Sequence, residues 1–234
     1  MFIAYGTGLF AQDEVQVAEH PILAHLKEMM NMKSRQVDVY KARTKEGEEP
    51  TPILIKNVDR LCSIATNPSK EEGRPDGLYG KHFEKASKET IERATQLLDP
   101  PTKTNLICMA ALPPRSGYYT FDQIDYLFKT ALTAFTAAKS EANKENVVIE
   151  TGNWGCGAFG GRIELMALVQ ILAASASGIH KLIYHSGDAR GTKAFQIAQK
   201  IATQIISSVP TLKINDIIDK MVSMKFLWGM SNGT

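Results

Sequence analysis

Between Thr151 and Gly161 the chain reads TGNWGCGAFGG, and Gly152, Gly155, Gly157, Gly160 and Gly161 leave few side chains to keep a ligand away from the backbone. Such a loop can turn several N–H groups toward one point, and a helix start behind it adds partial positive charge. The chemistry that suits it is binding of a phosphate or pyrophosphate. A tight turn without a ligand is the plainer reading. Five glycines within ten residues, with Asn153, Trp154 and Phe159 among them, exceed what a turn requires. The spacing is not the dinucleotide-binding fingerprint, and no Lys-Ser or Lys-Thr follows to hold a nucleotide's metal. A second group able to do chemistry stands near the start, where Gly6-Thr7-Gly8 is followed by Gln12, Asp13 and Glu14. Taken alone, the two carboxylates read as an acidic first turn that complements a helix dipole. Directly after a Gly-x-Gly loop, in a chain that also carries a phosphate loop, they read as acid/base groups.

The elements around the first loop are legible. Val147, Val148 and Ile149 form an apolar run that stops where the glycines begin, and from Ile163 apolar residues recur at helical spacing. The order is strand, glycine-rich loop, helix.

Thr151 to Gly161, followed by Leu165, Ala167, Leu168, Gln170, Ile171, Leu172 and Ala173, resembles the diphosphate-binding loop and following helix of the poly(ADP-ribose) glycohydrolases. The other signature of that family is a glycine triplet, a short spacer and Gln-Glu-Glu. Here Gly6-Thr7-Gly8 stands for the triplet, the spacer has shrunk to Leu9, Phe10 and Ala11, and Gln12-Asp13-Glu14 stands for Gln-Glu-Glu. The resemblance continues through Val15 to His20-Pro21-Ile22-Leu23.

It implies an α/β, three-layer macrodomain-like fold with a mixed central sheet flanked by helices, trimmed at its N-terminus. It implies ADP-ribose as ligand, held by Gly6, Thr7, Gly8, Gln12, Thr151, Gly152, Asn153, Trp154, Gly155, Cys156, Gly157, Ala158, Phe159 and Gly160. Glu14 matches the family's catalytic glutamate, and Asp13 replaces its partner one methylene shorter. Lys181 to Asp188 resembles the family's final strand, where an aromatic holds the adenosine side, and Tyr184 is the candidate.

Composition sets bounds. With 234 residues, 44% of them hydrophobic, the chain can build one substantial core, and residues 1–234 read as a single domain. A net charge of +2 gives no field for polynucleotides, so DNA is not an expected partner. Cys62, Cys108 and Cys156 are odd in number and far apart, which fits a reduced intracellular protein. No CxxC or HExxH occurs, so no metal site and no cofactor are expected. Cys156, between two glycines, reads as a small packed residue and not as a nucleophile. No apolar run reaches a membrane span of about 20 residues, and MFIAYGTG lacks the features of a secretory signal. A soluble, cytoplasmic or intracellular monomer is expected, with non-classical secretion through a tail such as Trp228 to Thr234 left open.

Along the rest of the chain, His20 to Met30 reads as an amphipathic helix, with His20 and His25 at the surface or partly packed. Gln36 to Ala42 and Pro52 to Val58 read as strands joined by the charged turn Lys45 to Glu49. Asn67 to Gly80 reads as a long loop able to cover a cleft. Ser87 starts a helix whose face extends from Ile91 through Ala94 to Leu97 and Leu98, closed by Asp99-Pro100-Pro101. Leu106 to Ala111 is expected as a buried strand, Phe121 to Ala142 as a long amphipathic helix, and Lys193 to Ser207 and Ile214 to Lys225 as closing helices.

By the resemblance, the departures at Thr7, the spacer, Asp13 and the trimmed N-terminus all alter the side facing the leaving group and spare the diphosphate loop. The expected activity is therefore removal of mono-ADP-ribose from a modified protein side chain, arginine or carboxylate. The alternatives are cleavage of poly(ADP-ribose) and a reader that binds ADP-ribose without cutting it.

Overall fold

A computed structural model of the chain describes residues 10–33, 42–142, 146–208 and 213–231. In chain order the elements are α1 (Gln12–Glu19), α2 (Ile22–Lys33), β1 (Lys45–Glu46), β2 (Glu49–Pro50), β3 (Ile53–Ile64), α3 (Lys81–Lys85), α4 (Lys88–Ala94), β4 (Thr95–Cys108), α5 (Phe121–Ala142), β5 (Val148–Gly152), α6 (Ile163–Ala176), β6 (Lys181–His185), α7 (Ala189–Ser208) and α8 (Ile214–Ser223). The α/β class read from the sequence is the class observed. Among the described residues the strands pair as three two-stranded sheets, β1 with β2, β3 with β4, and β5 with β6. The chain divides into two compact units, one holding residues up to Arg43 and Ile55–Cys108, the other Thr44–Leu54 and the residues from Met109.

The second unit is built on a β-α-β turn. β5 and β6 run parallel in register from Val148 opposite Lys181 to Gly152 opposite His185, joined through α6. A helix that is apolar all round belongs inside, and α6 buries Leu165 through Gln170 and Leu172 through Ala174. On one side it meets α7, where Ala194, Ala198 and Ala202 recur every four residues and are buried, letting the two helices close together. Asp188 caps α7, its Oδ1 accepting the Gly191 N–H at 2.7 Å. On the other side lies α5, whose buried face of Ile124, Leu127, Phe128, Ala131 and Phe135 has the expected helical spacing. Ile218 and Met221 of α8 are buried, and that helix also packs on α5. The charged run folds on itself as β1, a two-residue turn with Gly47 at φ +59°, and β2.

In the first unit α1 and α2 meet at Pro21. His20 is buried more fully than the surface or partly packed position expected, with its Nδ1 bonded to the Gln16 carbonyl at 2.9 Å, whereas His25 is exposed. Beside it, buried Glu19 pairs with Arg60 at 2.9 Å and accepts the Ile64 N–H at 2.8 Å, tying α1 to β3. The links Asn57 to Asn105, Asp59 to Lys103 and Ala65 to Ala94 run in opposite senses along β3 and β4, which are therefore antiparallel. The expected strand at Gln36 to Ala42 falls almost wholly outside the described residues, while Pro52 to Val58 belongs largely to β3. Loop 67–80 is irregular, as read, and is organised by buried Arg74, whose Nε donates to the Asn67 carbonyl at 2.8 Å.

Two expectations are corrected. Ser87 does cap α4, accepting the Thr90 N–H at 3.2 Å, but the helix stops at Ala94 and Leu97 lies in β4, 79% exposed. Two consecutive prolines, and the extended conformation they impose on the residue before them, favour the strand over a further helical turn. The strand expected at Leu106 to Ala111 ends at Cys108, and its residues are half-buried.

Phe128→Ala should therefore destabilise the protein by about 3–5 kcal/mol, whereas Leu97→Ala should stay within about 0.5 kcal/mol. Urea denaturation of the two variants checks both.

Candidate functional site

The glycine-rich loop leaves β5 under strict control. Thr151 Oγ1 donates to Gln170 Oε1 at 2.5 Å, and Gln170 Nε2 donates to the carbonyls of Gly152 at 3.2 Å and Met166 at 3.0 Å. Gln170 is wholly buried. Its amide is thus spent on fixing where the strand ends and the loop begins.

Four of the five glycines answer to packing inside the chain. A Cβ at Gly152 would lie 2.8 Å from the His185 carbonyl oxygen, and one at Gly161 2.6 Å from that of Gly155. At Gly155, φ is +71° and a Cβ would meet Ala111 at 2.8 Å; at Gly160, φ is +63° and a Cβ would meet the Ser231 nitrogen at 2.8 Å. Gly157 is the fifth. The loop is closed internally by Trp154 N–H to Gly152, Cys156 N–H to Asn153, Gly160 N–H to Gly157 and Gly161 N–H to Gly155, at 2.8–3.0 Å. The N–H groups of Gly157, Ala158 and Phe159 donate to no acceptor among the described residues. Ala158 and Phe159 are exposed. The bond from the Gly160 N–H to the Gly157 carbonyl closes a turn around Ala158 and Phe159, and the start of α6 follows closely.

The remaining loop side chains mostly hold the loop. Trp154 Nε1 donates to the Met109 carbonyl at 3.4 Å. Asn153 Nδ2 donates to the Ser186 carbonyl at 2.9 Å, and its Oδ1 accepts from the Tyr184 hydroxyl at 2.8 Å. The Tyr184 ring stacks on Phe195 with centroids 4.5 Å apart, so Tyr184 braces the loop from β6. Burial pushes the Cys156 thiol up to about 12, with Glu164 adding to the shift, so the sulfur stays protonated and is no nucleophile. At the start of α6, Arg162 pairs with Glu164 at 2.6 Å.

The carboxylates belong to the first unit. Gln12, Asp13 and Glu14 form the first turn of α1, and Glu14 Oε2 reaches back to accept the Ala11 N–H at 3.1 Å. The Gln12 N–H donates to the Tyr79 hydroxyl at 3.1 Å. That hydroxyl is shifted upward, chiefly by burial and further by Asp13 and Glu14. Burial, with Asp13 nearby, also raises Cys108 to about 11. Phe10 stacks on Phe83 at 3.8 Å, and its carbonyl accepts the Gly80 N–H at 2.7 Å, which secures loop 67–80 to the residues preceding α1. Gly6, Thr7 and Gly8 lie outside the described residues. Among the described residues no cluster of three His, Cys, Asp or Glu side chains could hold a metal, and no helix is long and apolar enough to cross a membrane.

The sequence model of the family described as "Poly (ADP-ribose) glycohydrolase (PARG), Macro domain fold" matches residues 66–193, more than half of the chain. The chain belongs to this family. A probable poly(ADP-ribose) glycohydrolase 2 of Arabidopsis thaliana is 32% identical over 79 residues, which make up 34% of this chain and 14% of that protein. The family match contains the glycine-rich loop, Gln170, Tyr184 and Tyr79 and leaves out Gln12 to Glu14. In the sequence Gln170 stands out only as part of the family resemblance. Its clamp role had a signal, a lone amide in the apolar run LMALVQILAA. Tyr79 carried no comparable signal.

At pH 8, alkylation of Cys156 should run roughly a thousandfold slower than that of an ordinary free thiol, because the thiolate is so scarce; mass spectrometry of the folded protein checks this. Burial raises Cys156 from about 9, so its neutral thiol favours the folded state below that pH, and the contribution is lost as pH rises toward 12. Tyr119, raised by burial to about 12, acts in the same sense at higher pH. The denaturation midpoint should fall as pH passes above about 9.

Proposed function

We propose that residues 1–234 act as a single macrodomain-like ADP-ribose-binding domain, and that the protein is a hydrolase removing one ADP-ribose from a modified protein side chain, with arginine or a carboxylate as acceptor. The observation that carries this reading is the row of unspent N–H groups at Gly157, Ala158 and Phe159, on a loop within the family-matched residues. A diphosphate suits that row, with Thr151 to Gly160 and Tyr184 serving the diphosphate and adenosine side. Gly6, Thr7, Gly8 and Gln12 serve the distal ribose. As the bond at the anomeric carbon breaks, positive charge builds on the ribose ring; Glu14 protonates the leaving group and then activates the attacking water. Asp13 grips the ribose hydroxyls. The backbone bond from Ala11 holds the Glu14 carboxylate in place for this work.

A second reading, cleavage of ribose–ribose bonds in poly(ADP-ribose), is favoured by the family description and by the name of the plant relative. A reader that only binds is disfavoured by Glu14, which binding alone does not require. Incubation with mono- and poly-ADP-ribosylated proteins, recording released ADP-ribose, separates the three. Binding of ADP-ribose without release from any linkage leaves the reader.

Glu14→Gln keeps the size of the side chain and removes its titratable proton. It should leave ADP-ribose affinity nearly intact and cut turnover by roughly 10² or more, measured by single-turnover kinetics beside calorimetry. Gly157→Val should abolish ADP-ribose binding in a chain that still folds; normal binding by that variant would remove the loop from the site. Chelators should not alter turnover, since the chemistry rests on carboxylates.

A further inference from the structure

The two ends of the glycine-rich loop are held by different means. The near end, Thr151 to Asn153, is fixed by Gln170 and Tyr184. At the far end, Arg162 precedes α6 with no side-chain cap on the helix. The holding groups there come from residues 117–123 and from a strap, Phe226 to Ser231, that follows α8.

The strap is itself anchored. Leu227 bridges Tyr118, the Tyr119 N–H donates to the Phe226 carbonyl at 3.0 Å, and the Trp228 N–H donates to the Gly117 carbonyl at 2.9 Å. Trp228 Nε1 donates to Gln123 Oε1 at 3.1 Å, and its ring stacks on Tyr119 with centroids 4.2 Å apart and planes 13° from parallel. Tyr119, 4% exposed, carries this anchorage to the loop, because its hydroxyl accepts the Arg162 N–H at 3.1 Å. The strap also meets the loop directly. A Cβ on Gly160 would sit 2.8 Å from the Ser231 nitrogen, and one on Gly229 3.0 Å from the Gly160 carbonyl oxygen. Both positions are glycine, so the two backbones lie against each other.

We propose that Trp228 and Tyr119 are positioning residues for ADP-ribose binding, and that the strap Phe226 to Ser231 sets the far end of the loop so that the N–H groups of residues 157–159 face the diphosphate. Trp228 and the strap lie beyond the family-matched residues, which end at 193, so part of the loop support comes from outside the matched stretch. The inference rests on the reading of the loop as a diphosphate cradle.

Calorimetry with ADP-ribose and with adenosine, on the full chain, tests it. Trp228→Ala should weaken ADP-ribose binding about tenfold or more and leave adenosine binding unchanged, lowering the ratio of the two affinities. Loss of stability alone would not move that ratio in a folded sample. Trp228→Phe keeps a ring on Tyr119 and should restore most of the affinity. Should Trp228→Ala fail to fold, Tyr119→Phe keeps the stack and removes only the acceptor for Arg162; it should cost roughly threefold or more in ADP-ribose affinity. Folded variants that keep the wild-type ratio overturn the proposal while leaving the diphosphate reading standing. Wild-type protein that binds neither ligand overturns both.

Discussion

A loop that offers backbone N–H groups to an anion cannot also spend them on itself. Residues 157–159 leave three N–H groups without acceptors among the described residues, while the Gly160 N–H closes a turn on the Gly157 carbonyl at 3.0 Å. Groups outside the loop add to its internal bonds in fixing its shape. Gln170 does so from beneath, Tyr184 and Asn153 from the side of β6, and Tyr119 with the strap from beyond the loop. Glycines at 152, 155, 160 and 161 allow these supports to approach to backbone contact.

The supports share a chemical trait: each places a polar group in buried surroundings and gives it a partner. A buried amide left unsatisfied costs about 1–3 kcal/mol, so Gln170, surrounded by apolar helix, is stable only where the Gly152 carbonyl and the Thr151 hydroxyl meet it. The same condition binds the Tyr184 hydroxyl to Asn153. Specific geometry follows from satisfying such groups, because an apolar side chain would tolerate the loop in many positions and a buried amide accepts very few.

Much of this was legible in the sequence. The strand, loop and helix around Val148 to Ala176 and the long helix α5 followed from uninterrupted apolar periodicity, and their cores are where that periodicity put them. The reading failed where local pattern and tertiary setting part company. Leu97 and Leu98 continue the helical face of α4, yet the prolines behind them and pairing with β3 turn the segment into strand. His20 reads as surface or partly packed because nothing in its neighbours reveals the bond to Gln16 that accompanies its full burial. The glycine cluster was read as serving a ligand, and the structure divides that credit, since four of the five are required by the chain's own packing. The carboxylates stood out only through a motif, because an acidic first turn is common in any helix.

The Gly160 backbone rests on that of Ser231, about seventy residues later in the chain. A contact of that span carries a loop-closure entropy that local helical contacts do not. During synthesis the strand, the loop and α6 leave the ribosome well before the strap does. The nascent chain therefore carries the whole glycine-rich sequence for some time before the strap that packs against Gly160 has been made.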